Sequence, residues 1–539
     1  MNRLAPAIFL LAAVHILCAV PARAETILNR GNGAEPDSLD PAFAGTSMEI
    51  NILGDMMVGL TTLDAAAHPI PGIAERWETS ADGLTWTFHL RKARWSDGSP
   101  VTAENFVFAW RRLLMPATAA RNAELLWIIQ NARAVTAGQK PATSLGIAAA
   151  NPSLLTIRLE HPAPYLPELL SLPAALPLPP NPSFKPGAYV SDGPYRLKAW
   201  QPNDHITLAK NPAFYDAPAV KIDTVNYLPT IDSQAALKRL RAGELDMQTP
   251  LPGTEISWLK ANMPKSLHIM PSLALAYVAI NLRDPALADI RVRRALSLVY
   301  DREAVVDKVM KRGELPAYAY VPPGIGGYGS VGEGRSDSVR AIDKKYAGPQ
   351  LDFKAMPYPA RLALAKRLMQ DAGYGPFNRL TLTYLTPGNP DGKRLAAVFQ
   401  AMARQTYINI RITVLDYALE LRAMRQGQYQ LGYTSWLADF SDASNFLDLL
   451  RSGSPGNYAG YRSAKFDAAI DMAEREPDAA RRNQLFQSAE RIALADMPWL
   501  PIRFLSQTEA VGPMVGGYVP NAWDFNRSRW LWVKELAKP

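Results

Sequence analysis

The chain is nearly free of cysteine: Cys18 is the only one in 539 residues. It lies in an apolar stretch near the start, so the rest of the chain has no disulfide bond and no thiol chemistry. Stability must then come from a large core rather than from crosslinks. Lipidation of Cys18 is the alternative use, but the preceding His15, Ile16 and Leu17 lack the small residues that lipoprotein processing favours.

Long apolar runs are also lacking, apart from the first 24 residues. Arg3 precedes an apolar run at 5–20, and Ala22-Arg23-Ala24 fits a small-x-small cleavage site. The run is interrupted by proline and histidine, whereas a membrane anchor needs about 20 clean apolar residues. We therefore interpret 1–24 as a signal peptide cleaved after Ala24, and we expect an exported, soluble mature protein.

No long run of charge of one sign occurs. The formal net charge is +8 and the isoelectric point is about 9.3, which raises the question of a nucleic-acid or membrane-surface partner. The basic residues are interleaved with acidic ones, so no basic patch is indicated and we expect no nucleic-acid partner. Hydrophobic residues at 48% and charged residues at 20% are ordinary for a globular protein, and 539 residues predict two or three lobes.

The sequence motifs of common exported enzymes are absent. There is no His-Glu-x-x-His and no Gly-x-Ser-x-Gly, and Ser257-x-x-Lys260 lacks the companion motifs of penicillin-recognising enzymes. No phosphate-binding glycine loop or dinucleotide fingerprint occurs, and the histidines have no metal-ligand spacing. We expect a binding protein without cofactor or metal. The alternative is an exported hydrolase of peptides or cell-wall fragments. The six histidines are His15, His68, His89, His161, His205 and His268.

A clear periodic pattern occupies residues 379–437. Strand-like alternation at 380–384, 408–414 and 429–436 is separated by helical spacing at 393–405 and 418–426. This β-α-β-α-β order predicts a parallel sheet in an α/β protein.

Asp439 follows the last of these strands. Open α/β sheets bind ligands beyond the carboxyl ends of their strands. An aspartate there can end a strand, cap a helix, act as an acid or base, or receive a cation. Asp442 is better placed to cap a helix at 443–450, which leaves Asp439 for another role.

Several short motifs follow one another along the mature chain. With them the sequence resembles the oligopeptide-binding proteins of bacterial ATP-driven importers, the family 5 extracellular solute-binding proteins. Each motif alone is weak, but their order is specific. They are EPDSLDP at 35–41, FHLRK at 88–92, WSDGSPVTA at 95–103, DGPY at 192–195, RAGELD at 241–246, DIRVRRA at 289–295, PAY at 316–318, PPG at 322–324 and ADF at 438–440.

The resemblance implies a two-lobed periplasmic binding protein fold of type II, with an extra subdomain, that closes around a ligand. Lobe I would comprise 25–57, 190–285 and 507–539, the extra subdomain 58–189, and lobe II 286–506. The protein would be a periplasmic monomer that carries peptides to the ABC permease in the inner membrane. The ATPase of the importer would belong to other subunits.

The resemblance also implies the ligand contacts. Asp439 would receive the α-amino group of a peptide, because it matches the aspartate of the family's Trp-x-Ala-Asp segment. Main-chain pairing with strand edges on both sides would hold the peptide without selecting its side chains. The expected contacts beside Asp439 are Ser435, Trp436 and Leu437, with Ala44, Gly45 and Thr46 opposite.

The residues expected around the far end of the ligand depart from the family pattern. Gly392, Met424 and Tyr433 stand where relatives hold arginine or histidine for the peptide carboxylate. Asn122 replaces a clamping tyrosine, and Tyr417 replaces a tryptophan. Either a shifted arginine compensates, or the far end is not a simple carboxylate, as in a modified, murein-derived or longer peptide. The same family also carries dipeptides, nickel chelates and non-peptide solutes. The candidates for the shifted arginine are Arg422 and Arg425.

Overall fold

The computed structural model describes residues 25–329 and 345–534. The signal peptide, its cleavage after Ala24 and the fate of Cys18 lie outside the described residues. The α-helices of the described part are Ser47–Met56, Ala103–Leu114, Ala132–Thr136, Leu166–Leu169, Ser233–Arg241, Ile256–Asn262, Pro285–Ala288, Ile290–Val299, Arg302–Ala304 (continued by the π-helical Val305–Met310), Tyr358–Asp371, Pro390–Arg404, Tyr417–Arg425, Ser444–Leu447, Ala464–Arg475 and Ala479–Asp496. Among these, no helix combines the length and hydropathy needed to cross a membrane.

One mixed sheet of 11 strands runs through the molecule. Its strands, in spatial order, are Tyr195–Gln201, His205–Lys210, Thr224–Leu228, Ile27–Gly31, Met247–Gln248, Trp499–Val511, Leu267–Ile280, Leu431–Leu437, Leu380–Pro387 and Ile408–Leu415, with Leu315–Pro316 paired to Trp499–Val511.

Smaller sheets lie outside this path. The largest is antiparallel and has the order Ala74–Thr79, Thr85–Leu90, Leu154–Arg158, Ile147–Asn151. Three two-stranded pairs complete the set: Thr61–Leu63 with Pro69–Pro71, Ala93–Arg94 with Pro100–Val101, and Val515–Gly516 with Trp532–Val533.

The buried apolar residues form two large cores and one small one. One large core draws on residues 273–504, and the other draws on residues 28–247 together with Val511 and Leu531. The small third core packs the helices Ser233–Arg241 and Ile256–Asn262 against Ala510. The molecule therefore has two halves, as a chain too long for a single core requires.

A ribbon of two antiparallel strands joins the halves. Leu267–Ile280 and Trp499–Val511 pair from His268 with Glu509, near one core, to Ala279 with Trp499, inside the other. Their register shifts between Pro271 and Leu275. A ladder interrupted in this way is locally bent and more strongly twisted than a regular one.

The predicted β-α-β-α-β unit is confirmed. Leu380–Pro387 lies between Ile408–Leu415 and Leu431–Leu437 and is parallel to both. Polar caps begin the two helices: Asn389 accepts from the N–H of Gly392 at 2.7 Å, and Asp416 accepts from the N–H of Ala418 at 2.9 Å. The three carboxyl ends therefore share one edge of the sheet, which also holds Asp439.

Candidate functional site

The strand Leu431–Leu437 has an open edge. On one side it pairs along its whole length with Leu267–Ile280. On the other side its ladder with Leu380–Pro387 covers only Leu431 and Gly432. Among the described residues, 433–437 therefore have no strand neighbour on that side. Tyr433 and Ser435 are partly exposed and Leu437 is 51% exposed, as expected for a strand that borders a cleft.

Asp439 lies two residues beyond this open edge. Asn445 ties the region together, because its Oδ1 accepts from Nε1 of Trp436 at 2.7 Å and from the N–H of Asp439 at 3.3 Å. Burial raises the pKa of the Asp439 carboxyl to about 6, with Asn445 acting to lower it and Glu124 to raise it further. The carboxylate is thus desolvated, and within the described part of the chain no cation acts on its pKa, so a positively charged group would stabilise it.

Asp442 has a structural role instead. Its Oδ1 accepts from the N–H of Ser444 at 2.9 Å, and its carboxylate forms a buried ion pair with Arg482. The helix expected at 443–450 is shorter than predicted: it covers Ser444–Leu447 and continues as the 3-10 turn Asp448–Leu450. Asp442 thus holds the N–H of Ser444 at the start of this helix, although Ala443 and not Asp442 is the N-cap residue.

The residues expected opposite Asp439 lie in the first half. Ala44 is buried and its carbonyl accepts from Nδ2 of Asn122 at 2.7 Å, while Gly45 is exposed. Thr46 caps the helix Ser47–Met56 in a capping box. Glu124 follows Asn122 closely and acts on the pKa of Asp439. Of these residues, Glu124 acts electrostatically on Asp439, and Asn122 is hydrogen-bonded to Ala44.

The segment after Asp439 touches the other half directly. Phe440 stacks on Tyr165, with ring centroids 4.1 Å apart, and packs against the core of the first half. The N–H of Ser441 donates to Oε2 of Glu168 at 2.7 Å. Burial raises the pKa of Glu168 to about 7, an effect that this hydrogen bond reduces. The candidate site therefore lies beside a contact that joins the two halves.

Packing explains two of the departures from the family pattern. A side chain at Gly392 would begin 2.6 Å from the carbonyl oxygen of Pro387, so neither arginine nor histidine fits there. Met424 is fully buried and contacts Gly432. Tyr417, which the resemblance placed where relatives hold tryptophan, is 48% exposed at the start of its helix.

Tyr433 has an arginine beside it that sequence reasoning missed. The hydroxyl of Tyr433 accepts from Nη2 of Arg503 at 3.0 Å. Nε of Arg503 lies 3.0 Å from Oε2 of Glu314, an ion pair that is not an aligned hydrogen bond. By contrast, Arg422 and Arg425 are exposed on the helix Tyr417–Arg425.

Other residues near the site also escaped the sequence reasoning. Glu124 and Asn445 belong to no sequence motif, and only the folded chain places them near Asp439. Arg503 had a signal, because it is the one charged residue in the apolar stretch 499–505. A lone buried charge needs a partner, so such a residue points to a polar contact in the core.

Two α/β halves joined by a ribbon, with an open strand edge and a desolvated carboxyl group between them, define a two-lobed solute-binding protein of type II fold, as expected. The chain belongs to the bacterial extracellular solute-binding proteins, family 5, whose model matches residues 68–458.

Named relatives match almost the whole chain. The periplasmic oligopeptide-binding protein OppA of Salmonella typhimurium is 34% identical over 91% of this chain and 89% of its own. The probable deoxycholate-binding periplasmic protein YgiS of Escherichia coli is 32% identical over 97% and 96%. The crystal structure of Haemophilus influenzae OppA in complex with RPPGFSPFR is 30% identical, covers 95% of this chain and 99% of its own, and has a TM-score of 0.78.

Proposed function

We propose that this protein captures peptides through their free α-amino group in the periplasm and delivers them to the permease of an ABC importer. Family membership and the similarity to oligopeptide-binding proteins support this function. The family consists of binding proteins for transport, and no catalytic role is assigned to any residue. The protein would act as a monomer until it docks on the permease.

The observation that carries the proposal is the open strand edge at 433–437 leading to Asp439. An extended peptide added to this edge gains main-chain hydrogen bonds that do not depend on its side chains. Its first residue then reaches Asp439, whose desolvated carboxylate forms a charge-assisted hydrogen bond with the ammonium group. Gly45 and its neighbours, held near Asn122, would contact the other edge of the peptide.

Capture would be linked to closure of the halves. We place lobe I at 25–57, 190–285 and 507–539, the extra subdomain at 58–189, and lobe II at 286–506. A ligand that contacts both lobes favours the arrangement in which they are close. The contacts of Phe440 and Ser441 with Tyr165 and Glu168 stabilise the same arrangement.

The test is recovery of ligand from the protein. The purified protein is incubated with a mixture of short peptides, each present in free and N-acetylated form, and bound species are weighed by native mass spectrometry. We expect intact peptides with free amino ends and almost none of the acetylated forms. Shortened peptides would favour the hydrolase, and equal capture of acetylated peptides would contradict the role of Asp439.

A further inference from the structure

Arg503 lies on the same face of the sheet as the candidate ligand edge. In the register of the sheet, Ala276 is opposite Ser435 on one side and opposite Arg503 on the other. Directly paired residues point to the same face, and so do residues two apart on a strand. Tyr433, Ser435 and Arg503 therefore share a face, with only the small side chain of Ala276 between the last two.

The hydrogen bond between Arg503 and Tyr433 has only one possible donor and one possible acceptor. A guanidinium group can donate but cannot accept, so the Tyr433 oxygen is the acceptor in this bond. The hydroxyl hydrogen of Tyr433 is then free to donate elsewhere. Tyr433 packs against the core of the second half and is partly exposed beside the open edge, so a ligand acceptor that reaches this hydroxyl would receive its hydrogen.

The charges behind Tyr433 are compensated. Arg503 and Glu314 have side chains only 6% and 5% exposed, and their Nε and Oε2 atoms are 3.0 Å apart. Next to them, Nη1 of Arg312 lies 2.7 Å from Oδ2 of Asp391. Asp391 also lies 4.0 Å from Nη1 of Arg394, whose side chain is 48% exposed to solvent. The buried guanidinium group nearest Tyr433, that of Arg503, is thus matched by the buried carboxylate of Glu314, which reduces its attraction for a ligand carboxylate.

We propose that Tyr433, positioned by Arg503, is a neutral hydrogen-bond donor that binds a carbonyl group on the carboxyl side of the peptide. The subsite then accepts an amide carbonyl about as well as a carboxylate, so peptides with a blocked or continuing carboxyl end are ligands. This assignment rests on the proposed function, because it needs the peptide to lie along the open edge with its amino group at Asp439.

Matched peptides test the proposal by isothermal titration calorimetry. One peptide sequence is prepared as the free acid, as the C-terminal amide and as the N-acetylated acid. The acid and the amide should bind within about threefold of each other, while acetylation should weaken binding by roughly 100-fold. An acid that binds roughly 30-fold tighter than the amide would overturn the neutral subsite and leave the proposed function intact. Loss of the acetylation effect would instead contradict the proposed function.

Two variants separate the donor from the charge behind it. Tyr433→Phe should weaken the acid and the amide equally, by roughly five- to tenfold, because it removes one hydrogen bond common to both. Glu314→Gln should raise the preference for the acid by roughly tenfold, because it exposes the charge of Arg503 without changing the shape of the side chain. Glu244→Gln, at an exposed carboxylate away from Tyr433, is the matched control and should change neither ratio. An unchanged acid-to-amide ratio in a folded Glu314→Gln protein would contradict the proposal.

Discussion

Phe440 and Tyr165 stack with ring centroids 4.1 Å apart and planes within 8° of parallel. Tyr165 belongs to the first half and Phe440 immediately follows Asp439, so the residue next to the candidate amine receptor holds the two halves together. The proposed ligand receptor and the contact between the halves thereby share one short segment, 439–441.

This contact predicts the effect of Phe440→Ala. Loss of the aromatic pair should cost about 1 kcal/mol, which corresponds to roughly fivefold weaker peptide binding if the stack belongs to the ligand-bound arrangement. Calorimetry with a tight-binding peptide measures the change. Tyr165→Phe keeps the ring and is the matched control, with affinity close to wild type. Wild-type affinity in Phe440→Ala would show that the stack plays no part in capture.

Sequence periodicity was sufficient for the parallel unit around Leu380–Pro387, because alternating strands and amphipathic helices each leave a local pattern. It also placed Asp439 just beyond the carboxyl end of a strand of this unit. The partners of the site could not be read in this way. Glu124 and Asp439 are over 300 positions apart, and Arg503 meets Tyr433 only because two strands flank Ala276. Contacts set by sheet order leave no trace in a local pattern.

The raised pKa of Asp439 predicts how affinity depends on pH. The carboxyl group of the ligand-free protein has a pKa of about 6, and a bound ammonium group must lower that value because it favours the ionised form. Binding therefore releases a proton below pH 6, and affinity for free-amino peptides should fall roughly tenfold between pH 7 and pH 5. Above about pH 8 the peptide amine itself loses its proton, so affinity should fall there as well.

Calorimetry across this pH range, in buffers of different ionisation enthalpy, also counts the protons exchanged. Asp439→Asn is the control and should lack the acidic decline. A wild-type affinity that is constant from pH 5 to pH 7 would contradict the assignment of Asp439 as the ionised receptor.

The burial of Glu420 predicts that replacing it with an apolar residue stabilises the folded protein. Its side chain is fully buried, neither carboxyl oxygen has a hydrogen-bond partner among the described residues, and burial raises its pKa to about 8. Glu420→Met removes this polar group at similar size and should raise the free energy of unfolding by about 1–3 kcal/mol at pH 8.

The pH profile distinguishes this cause from improved packing. The unfolded chain ionises Glu420 near its ordinary pKa of 4.5, whereas the folded protein does so near 8. The wild type should therefore lose stability relative to Glu420→Met as the pH rises through this window, and the difference should be constant above it. Urea denaturation at pH 5, 6.5 and 8 measures the profile. A variant that is less stable than wild type at pH 8 would indicate a partner for the carboxyl group.

The central claim is that the carboxylate of Asp439 receives the amino terminus of a peptide, and calorimetry of Asp439→Asn with one peptide in free and N-acetylated form tests it most directly. Asparagine keeps the size and loses the charge, so the free peptide should bind roughly 100-fold more weakly to the variant, while the thermal midpoint should not fall. The acetylated peptide should bind the variant and the wild type with the same low affinity. Equal affinity of the free peptide for Asp439→Asn and the wild type would contradict the account.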